Sequence, residues 1–294
     1  MKSICLLFSL AASLLTTLST QAAAPIKALI IDGQNNHDYK STTPHLKKLL
    51  EETGLFTVDV ATTPPAKGDM NSFRPKFTDY KVVISNYNGE PWSDQTKADF
   101  ENYVKNGGGF VSVHAADNAF PEWPAYNEMI GLGGWNDRNE KSGPYLRLRD
   151  GKWTPDTTPG RGGSHGKQHA FLMITRAPEH PIMKGLPEKW MHAKDELYDR
   201  LRGPAKDLTI LASAFSAKEQ AGSGEDEPLL IARAYGKGRV FHTALGHNNG
   251  PDLTAQNCVG FIATFQRGTE WAATGKVTQK APADFPDEKE VKLR

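Results

Sequence analysis

Four places in this chain put chemically capable side chains directly after an apolar run. Asn35, Asn36, His37 and Asp38 follow the run Ile26–Asp32; Asn86, Tyr87, Asn88, Gly89 and Glu90 follow 81–86. Ala115, Ala116 and Asp117 follow His114 at the end of 109–114, and Gly246, His247 and Asn248 follow 239–245. His114 is entered from Gly107, Gly108 and Gly109 and left through two alanines, so the backbone can turn tightly there and aim the imidazole into a crevice. An imidazole so placed is a general base or a metal ligand. Asp117 lies one turn on, where it either orients His114 or caps a helix. In the segment from His192 to Tyr198, Asp195 and Glu196 interrupt packable residues, which marks Glu196 as a catalytic or ligating carboxylate.

His165 and His169 invite a zinc reading, but the glycines around them argue against a helix that would bring both to one ion. On an extended strand, four residues span roughly 13 Å. One of the two at most can share a site with His114, and His169, at the start of a strand, is the better choice. The sequence-level ligand set for a zinc-like divalent ion is therefore His114, His169 and Glu196. His45, His180 and His242 read as structural, from their places in a helix, a Pro/Gly turn and a strand.

Other chemistries find no support. The triple glycine precedes a strand instead of opening a helix, so no nucleotide cofactor is expected. No Gly-x-Ser-x-Gly elbow occurs, and Cys258 lies on a core-facing helical stripe with Phe261, Ile262 and Phe265.

The elements that must position these groups alternate. Apolar runs at 26–32, 81–86 and 109–114, with a second strand expected at 56–62, are separated by helical patterns in which Leu46, Leu49 and Leu50, then Phe100, Tyr103 and Val104, share a face. Thr43-Pro44 is the expected start of the first helix and Ser93 of the second. Strands alternating with helices predict an α/β domain with a mainly parallel sheet covered on both faces, whose strand ends converge at one edge. Residues 118–166 read as a long ordered insertion with a mobile tip at 160–163, followed by strands at 170–175, 209–212, 229–234 and 239–245 and a helix at 257–271. After Thr274 the composition turns to Lys, Pro, Asp and Glu, the signature of a poorly ordered tail over 273–294.

Residues 1–24 carry Lys2, an apolar run and the small residues Ala22, Ala23 and Ala24, the order of a cleaved secretory signal. The run is too short to span a bilayer, and Cys5 precedes it, against a lipid anchor. A periplasmic or secreted domain over 25–272, with no membrane contact after cleavage, is expected. The 35 basic and 34 acidic residues nearly cancel, which argues against nucleic-acid binding.

Taken in order, His37-Asp38, the run from Gly107 to His114, His180-Pro181-Ile182 with Gly185-Leu186-Pro187, Asp195-Glu196-Leu197-Tyr198, and Gly238-Arg239-Val240-Phe241 leading to Gly246-His247 resemble the ThuA-like family. The resemblance covers about residues 26–272. It implies a flavodoxin-like three-layer sandwich of the class I glutamine amidotransferase type, with His114 where those enzymes place a cysteine nucleophile and His247 near their late catalytic histidine. It further implies uptake and breakdown of trehalose and related disaccharides, partner sugar oxidoreductases that make 3-keto intermediates, and a divalent metal in the pocket. On that reading the protein is a hydrolase or lyase of (3-keto) glycosides or disaccharides. His114 or Glu196 is the base, His247 polarises the ketone, and Asp117, Asn35, His37, Asn86 and Asn248 orient the sugar. Trp123 or Trp135 offers a stacking face. The alternative is a noncatalytic sugar-binding or accessory protein.

Overall fold

The computed structural model describes residues 24–248 and 250–294; the signal-like segment lies outside them. In chain order the elements are β1 (Ile26–Asp32), α1 (Tyr39–Glu51), β2 (Phe56–Thr62), β3 (Val82–Ser85), α2 (Asp94–Lys105), β4 (Gly109–Val113) and α3 (Pro124–Ile130). Then come β5 (Tyr145–Arg149), β6 (Lys152–Asp156), β7 (Ser164–His165), β8 (His169–Thr175), β9 (Lys189–Asp195) and β10 (Tyr198–Asp199). The chain closes with β11 (Thr209–Phe215), β12 (Asp226–Tyr235), β13 (Gly238–Thr243), α4 (Thr254–Asn257) and α5 (Val259–Thr274).

Nine strands form one sheet in the order β2-β1-β3-β4-β13-β12-β11-β8-β9. The pairings from β2 through β13 are parallel, and those from β13 through β9 are antiparallel. A mainly parallel sheet was the expectation; the sheet is instead half parallel and half antiparallel. The reason is local. Between β12 and β13 the chain has only Gly236 and Lys237, with Gly236 at φ +57°, which makes a hairpin and cannot hold a crossover.

Strand pleating sends alternate residues to two cores. Ala28, Ile30, Val82, Ile84, Val111 and Phe241 meet α1 and α5, whereas Leu29, Ile31, Val83, Phe110 and Val240 meet the aromatic face of α2 and α3. Burial on both faces is what the continuous apolar runs require.

The first helix starts a turn earlier than Thr43-Pro44 suggests. Asp38 caps it by accepting from Lys40 N (3.2 Å) and Ser41 Oγ (2.5 Å), and Pro44 lies inside. That start buries Thr42 and Thr43 against the sheet, where both hydroxyls accept from Asn86 Nδ2, at 2.8 and 3.0 Å.

Two further expectations change. The glycine-rich tip is clamped, since Gly162 N donates to Arg138 O (2.6 Å), Gly163 N to Arg200 O (2.8 Å), and Gly162 O accepts from Trp135 N (2.8 Å). The tail has little regular structure, yet it is docked. Asp287 O accepts from Met191 N of β9 (2.7 Å), Lys292 O from Val259 N (2.9 Å), and Phe285 meets Trp190 at 5.4 Å between ring centres. Arg267, buried in α5, bonds Gln279 O of the tail together with the carbonyls of Pro181, Ile182 and Lys184, so one guanidinium ties three segments.

Candidate metal centre at the strand ends

Because β9 is four antiparallel pairings from β13, it points the same way as the parallel strands, and its carboxyl end lies at the same edge of the sheet. The antiparallel half also curls back, for Asp195 at the end of β9 reaches the segment after β13. Its Oδ1 accepts from Glu196 N (2.7 Å) and His247 N (3.0 Å); its Oδ2 accepts from Gly246 N (2.8 Å) and His192 Nε2 (2.7 Å). Asp195 is fully buried, and its acceptor capacity is spent on fixing the backbones that carry Glu196 and His247.

At that edge His37, His114, Glu196 and His247 bring one donor atom each to within 4.8 Å of one another. His114 sits in a left-handed conformation, φ +47°, directly after β4. This is a strained elbow that an L residue adopts where surrounding structure enforces it. Its Nδ1 lies 2.8 Å from Ala244 O, and a carbonyl only accepts, so Nδ1 carries a hydrogen and Nε2 is the ring atom turned toward the cluster. Tyr198 Oη stands 3.0 Å from that Nε2, and Glu196 Oε2 stands 3.7 Å from it. His37 faces Asn35 Oδ1 through Nδ1 (3.3 Å), which likewise turns Nε2 inward. Glu196 Oε2 is 3.2 Å from His247 Nδ1, and Gln168 Nε2 lies 2.9 Å from His247 Nε2 and 3.3 Å from Glu196 Oε1.

Burial, then the neighbouring His114 and His247, holds the His37 pKa down to about 3, so the imidazole is neutral and its lone pair available. Burial alone would raise the pKa of Glu196, but hydrogen bonds and charge from His114 and His247 outweigh it and keep the carboxylate ionised. Three imidazoles and one carboxylate are the donor set of a borderline divalent ion such as zinc, whose bonds of about 2 Å hold ligands about 3–4 Å apart. The second atoms of His114 and His37 are already anchored, as ligating histidines require. The residues present therefore fit such an ion.

Through His37 and Glu196 the cluster reaches a cavity of about 480 Å³ lined also by Gln34, Asn35, Asn36, Asn88, Gly89, Asn118, Trp135, Asn136, His165 and Tyr198. No lysine or arginine is among them, and six are carboxamides.

Several sequence expectations meet here and several do not. His114, Glu196, His247, His37 and Asn35 come together. His169 stands apart: pleating turns Gln168 toward the cluster, while His169 Nδ1 bonds Lys167 O (2.7 Å) and its ring lies on Phe171. His37, expected to orient the sugar, stands in the cluster where His169 was expected. Asp117 does not orient His114; its Oδ2 is 3.1 Å from His242 Nε2, a buried pair within the core. Asn86 is a strut between Thr42, Thr43 and Asn35. Asn248 bonds Gly250 O (2.8 Å). Trp123 is packed among Trp92, Phe100, Phe120 and Tyr126, so of the two tryptophans only Trp135 faces the cavity. Tyr198 and Gln168 were missed, although Tyr198 follows Glu196 by two residues, the spacing that returns a side chain to the same side of an extended chain.

The family model described as ThuA, trehalose utilisation, matches residues 27–272. A ThuA-like protein from Parabacteroides merdae is 50% identical, superposes with a TM-score of 0.91, and aligns over 92% of this chain and 98% of its own. One from Bacteroides uniformis is 20% identical, with a TM-score of 0.59 over 90% of this chain and 98% of its own, and shares the fold. No curated protein matches. With its family model spanning all but the ends and a half-identical relative covered almost end to end, this chain belongs to the ThuA family.

Proposed function

We propose that this protein is an exported enzyme of carbohydrate breakdown that cleaves oxidised (3-keto) glycosides by elimination or hydrolysis, with a divalent ion held by His37, His114, Glu196 and His247. The observation that carries this reading is the convergence of three imidazoles and a carboxylate on a cavity walled by carboxamides. Carboxamides donate and accept together, which suits a neutral, hydroxyl-rich ligand. The half-parallel sheet with its His114 elbow fits a class I glutamine amidotransferase-like scaffold in which histidine replaces the nucleophile, so amide transfer is not proposed.

Such an ion would supply Lewis-acid polarisation of a carbonyl oxygen. The chain's own residues supply the remainder. A ketone acidifies the neighbouring C–H, so loss of that proton and departure of the glycosidic oxygen need one group that moves a proton. With His114 and Glu196 engaged as ligands, that group is His165, whose Nδ1–H donates to Gly166 O (2.7 Å) and whose Nε2 stands 3.4 Å from Glu196 Oε1 at the cavity wall. Asn36 and Asn88 are stitched together, Asn36 N donating to Asn88 Oδ1 (3.1 Å) and Asn88 Nδ2 to Asn36 Oδ1, while Asn35 Nδ2 donates to Asn86 O (3.2 Å), and together they present a fixed amide face to the sugar.

The test is metal analysis of purified protein beside His37→Ala and Glu196→Ala, with turnover of 3-keto glycosides followed before and after chelation. One ion per chain, lost in both variants together with chelator-sensitive turnover, supports the reading. Sugar binding with no turnover in loaded protein would instead establish a binding or accessory protein.

A further inference from the structure

The strand that leads into Glu196 is irregular just before it. Phe171 of β8 pairs with His192 of β9, and His169 with Asp195, so β9 takes three steps where β8 takes two. In a regular strand, residues three apart point to opposite faces. The extra residue makes a β-bulge, which re-aims the side chains beyond it. Here it brings Asp195 to the face that already holds His192, and Nε2 of that imidazole donates to Asp195 Oδ2 (2.7 Å). Three further donors to the same carboxylate are the main-chain N–H groups of Glu196, Gly246 and His247. A carboxylate with a side-chain partner on one oxygen is fixed in orientation, and the backbones bonded to it are fixed with it.

His192 is itself held. It is fully buried, its ring centre lies 5.2 Å from that of Phe171 and 6.2 Å from that of Trp190, and Nδ1 meets no oxygen or nitrogen partner among the described residues. What backs it is the thiol of Cys258, buried at the N-cap of α5, whose Sγ also lies 3.9 Å from Met191 O. Burial would lower the His192 pKa, but charge and hydrogen bonding from Cys258 and Asp195 outweigh it and raise it. Cys258 is fixed in turn by the tail. It bridges Leu293, with Val259 N donating to Lys292 O (2.9 Å) and Arg294 N to Asn257 O (3.0 Å). A line of contacts therefore runs from the tail through Cys258, His192 and Asp195 to the backbones that carry Glu196 and His247.

We infer that His192 is the positioning residue of the candidate metal centre: brought to Asp195 by the bulge and backed by Cys258, it fixes that carboxylate and through it the places of Glu196 and His247. His192 is not one of the ligands and acts only through Asp195. The inference rests on the metal reading of the cluster and names what sets its affinity.

The test is zinc affinity, measured by competition with a chromophoric chelator, together with the visible absorption of the cobalt-loaded protein, in wild type, His192→Phe and His192→Gln. Phenylalanine keeps the ring and removes the donor, whereas the amide nitrogen of glutamine reaches the place of the imidazole Nε2 and still donates to Asp195. Partners outside the ligand shell are worth roughly 10–100-fold in metal affinity. His192→Phe accordingly weakens zinc binding by about tenfold or more and shifts the cobalt bands, and His192→Gln recovers the affinity to within about threefold of wild type. A general loss of stability lowers the melting temperature of the metal-free protein but leaves the cobalt bands of the folded fraction alone. Wild-type affinity and bands in folded His192→Phe, or equal loss in both variants, overturns the inference and leaves the metal centre standing. If His192→Phe does not fold, Cys258→Ala decides: weakened zinc binding restored by Cys258→Ser supports the line of contacts, and wild-type affinity overturns it. A wild type that takes up neither ion overturns the metal reading itself, and the inference with it.

Discussion

Asp195 is the residue on which the candidate centre turns, although it contributes no ligand. Its two oxygens accept four hydrogen bonds, three of them from the backbone of Glu196, Gly246 and His247. An amide at that position would face N–H groups with an N–H of its own. We expect Asp195→Asn to destabilise the fold by about 3–5 kcal/mol, the usual consequence of breaking a buried charged contact. Chemical denaturation checks this, and an unchanged midpoint would refute the clamp. Sequence reading found the acidic pair but gave the weight to Glu196 alone, because nothing in a sequence reveals that two of a carboxylate's partners are main-chain groups more than fifty positions away. The same blindness explains Asp117, whose proximity in sequence to His114 suggests a pair that the structure gives to His242. His169 failed for a geometric reason, because a strand's alternation exchanges it for Gln168 at the site.

Elements were more legible than their directions. β1, β3 and β4 follow from nearly continuous apolar runs, and α2 begins as Ser93 suggests, with Oγ accepting from Thr96 N (3.2 Å). The antiparallel half was misread because buried strands carry the same apolar signal in either direction. The Gly236-Lys237-Gly238 punctuation was the one local clue to a hairpin. The His180 turn behaves as its Pro/Gly content implies, packing its ring edge-on to Trp271 of α5 (4.9 Å) and accepting from Ile182 N at Nδ1 (3.3 Å). Burial depresses the His180 pKa from 6.5 to about 4. The unfolded chain therefore binds a proton that the folded chain declines once pH falls below 6.5, so His180's contribution to stability is present above 6.5 and is lost as pH falls toward 4. Denaturation midpoints between those limits should decline less in His180→Gln than in wild type; equal slopes would remove the histidine from the account.

At the scale of the whole molecule, the tail is a strap across the far end of the sheet. Glu270 accepts from Thr278 N (2.7 Å), Thr278 Oγ1 (2.6 Å) and Gln279 Nε2 (3.1 Å), and Arg294 pairs with Asp284 (2.9 Å). Truncation after Gly275 strips partners from two buried charges, Arg267 and Glu270, and uncovers Trp190. A loss of about 2–4 kcal/mol is expected, which at roughly 2–4 °C per kcal/mol lowers Tm by about 4–16 °C. A thermal melt unchanged by truncation would show that the tail contributes nothing. Composition alone concealed this strap, since its charges and prolines look solvated until their partners in α5 are known.

The four donors of the candidate centre come from positions 37, 114, 196 and 247, and they meet only because the antiparallel half curls back onto the parallel half. No fragment ending before β13 holds the set, and neither half holds it alone. The centre is thus among the last features the folding chain can assemble, and its contacts are of high sequence separation. On the proposed metal reading, a chain caught part-way would offer an ion no more than scattered single ligands, so ion binding would stabilise finished molecules and not unfinished ones.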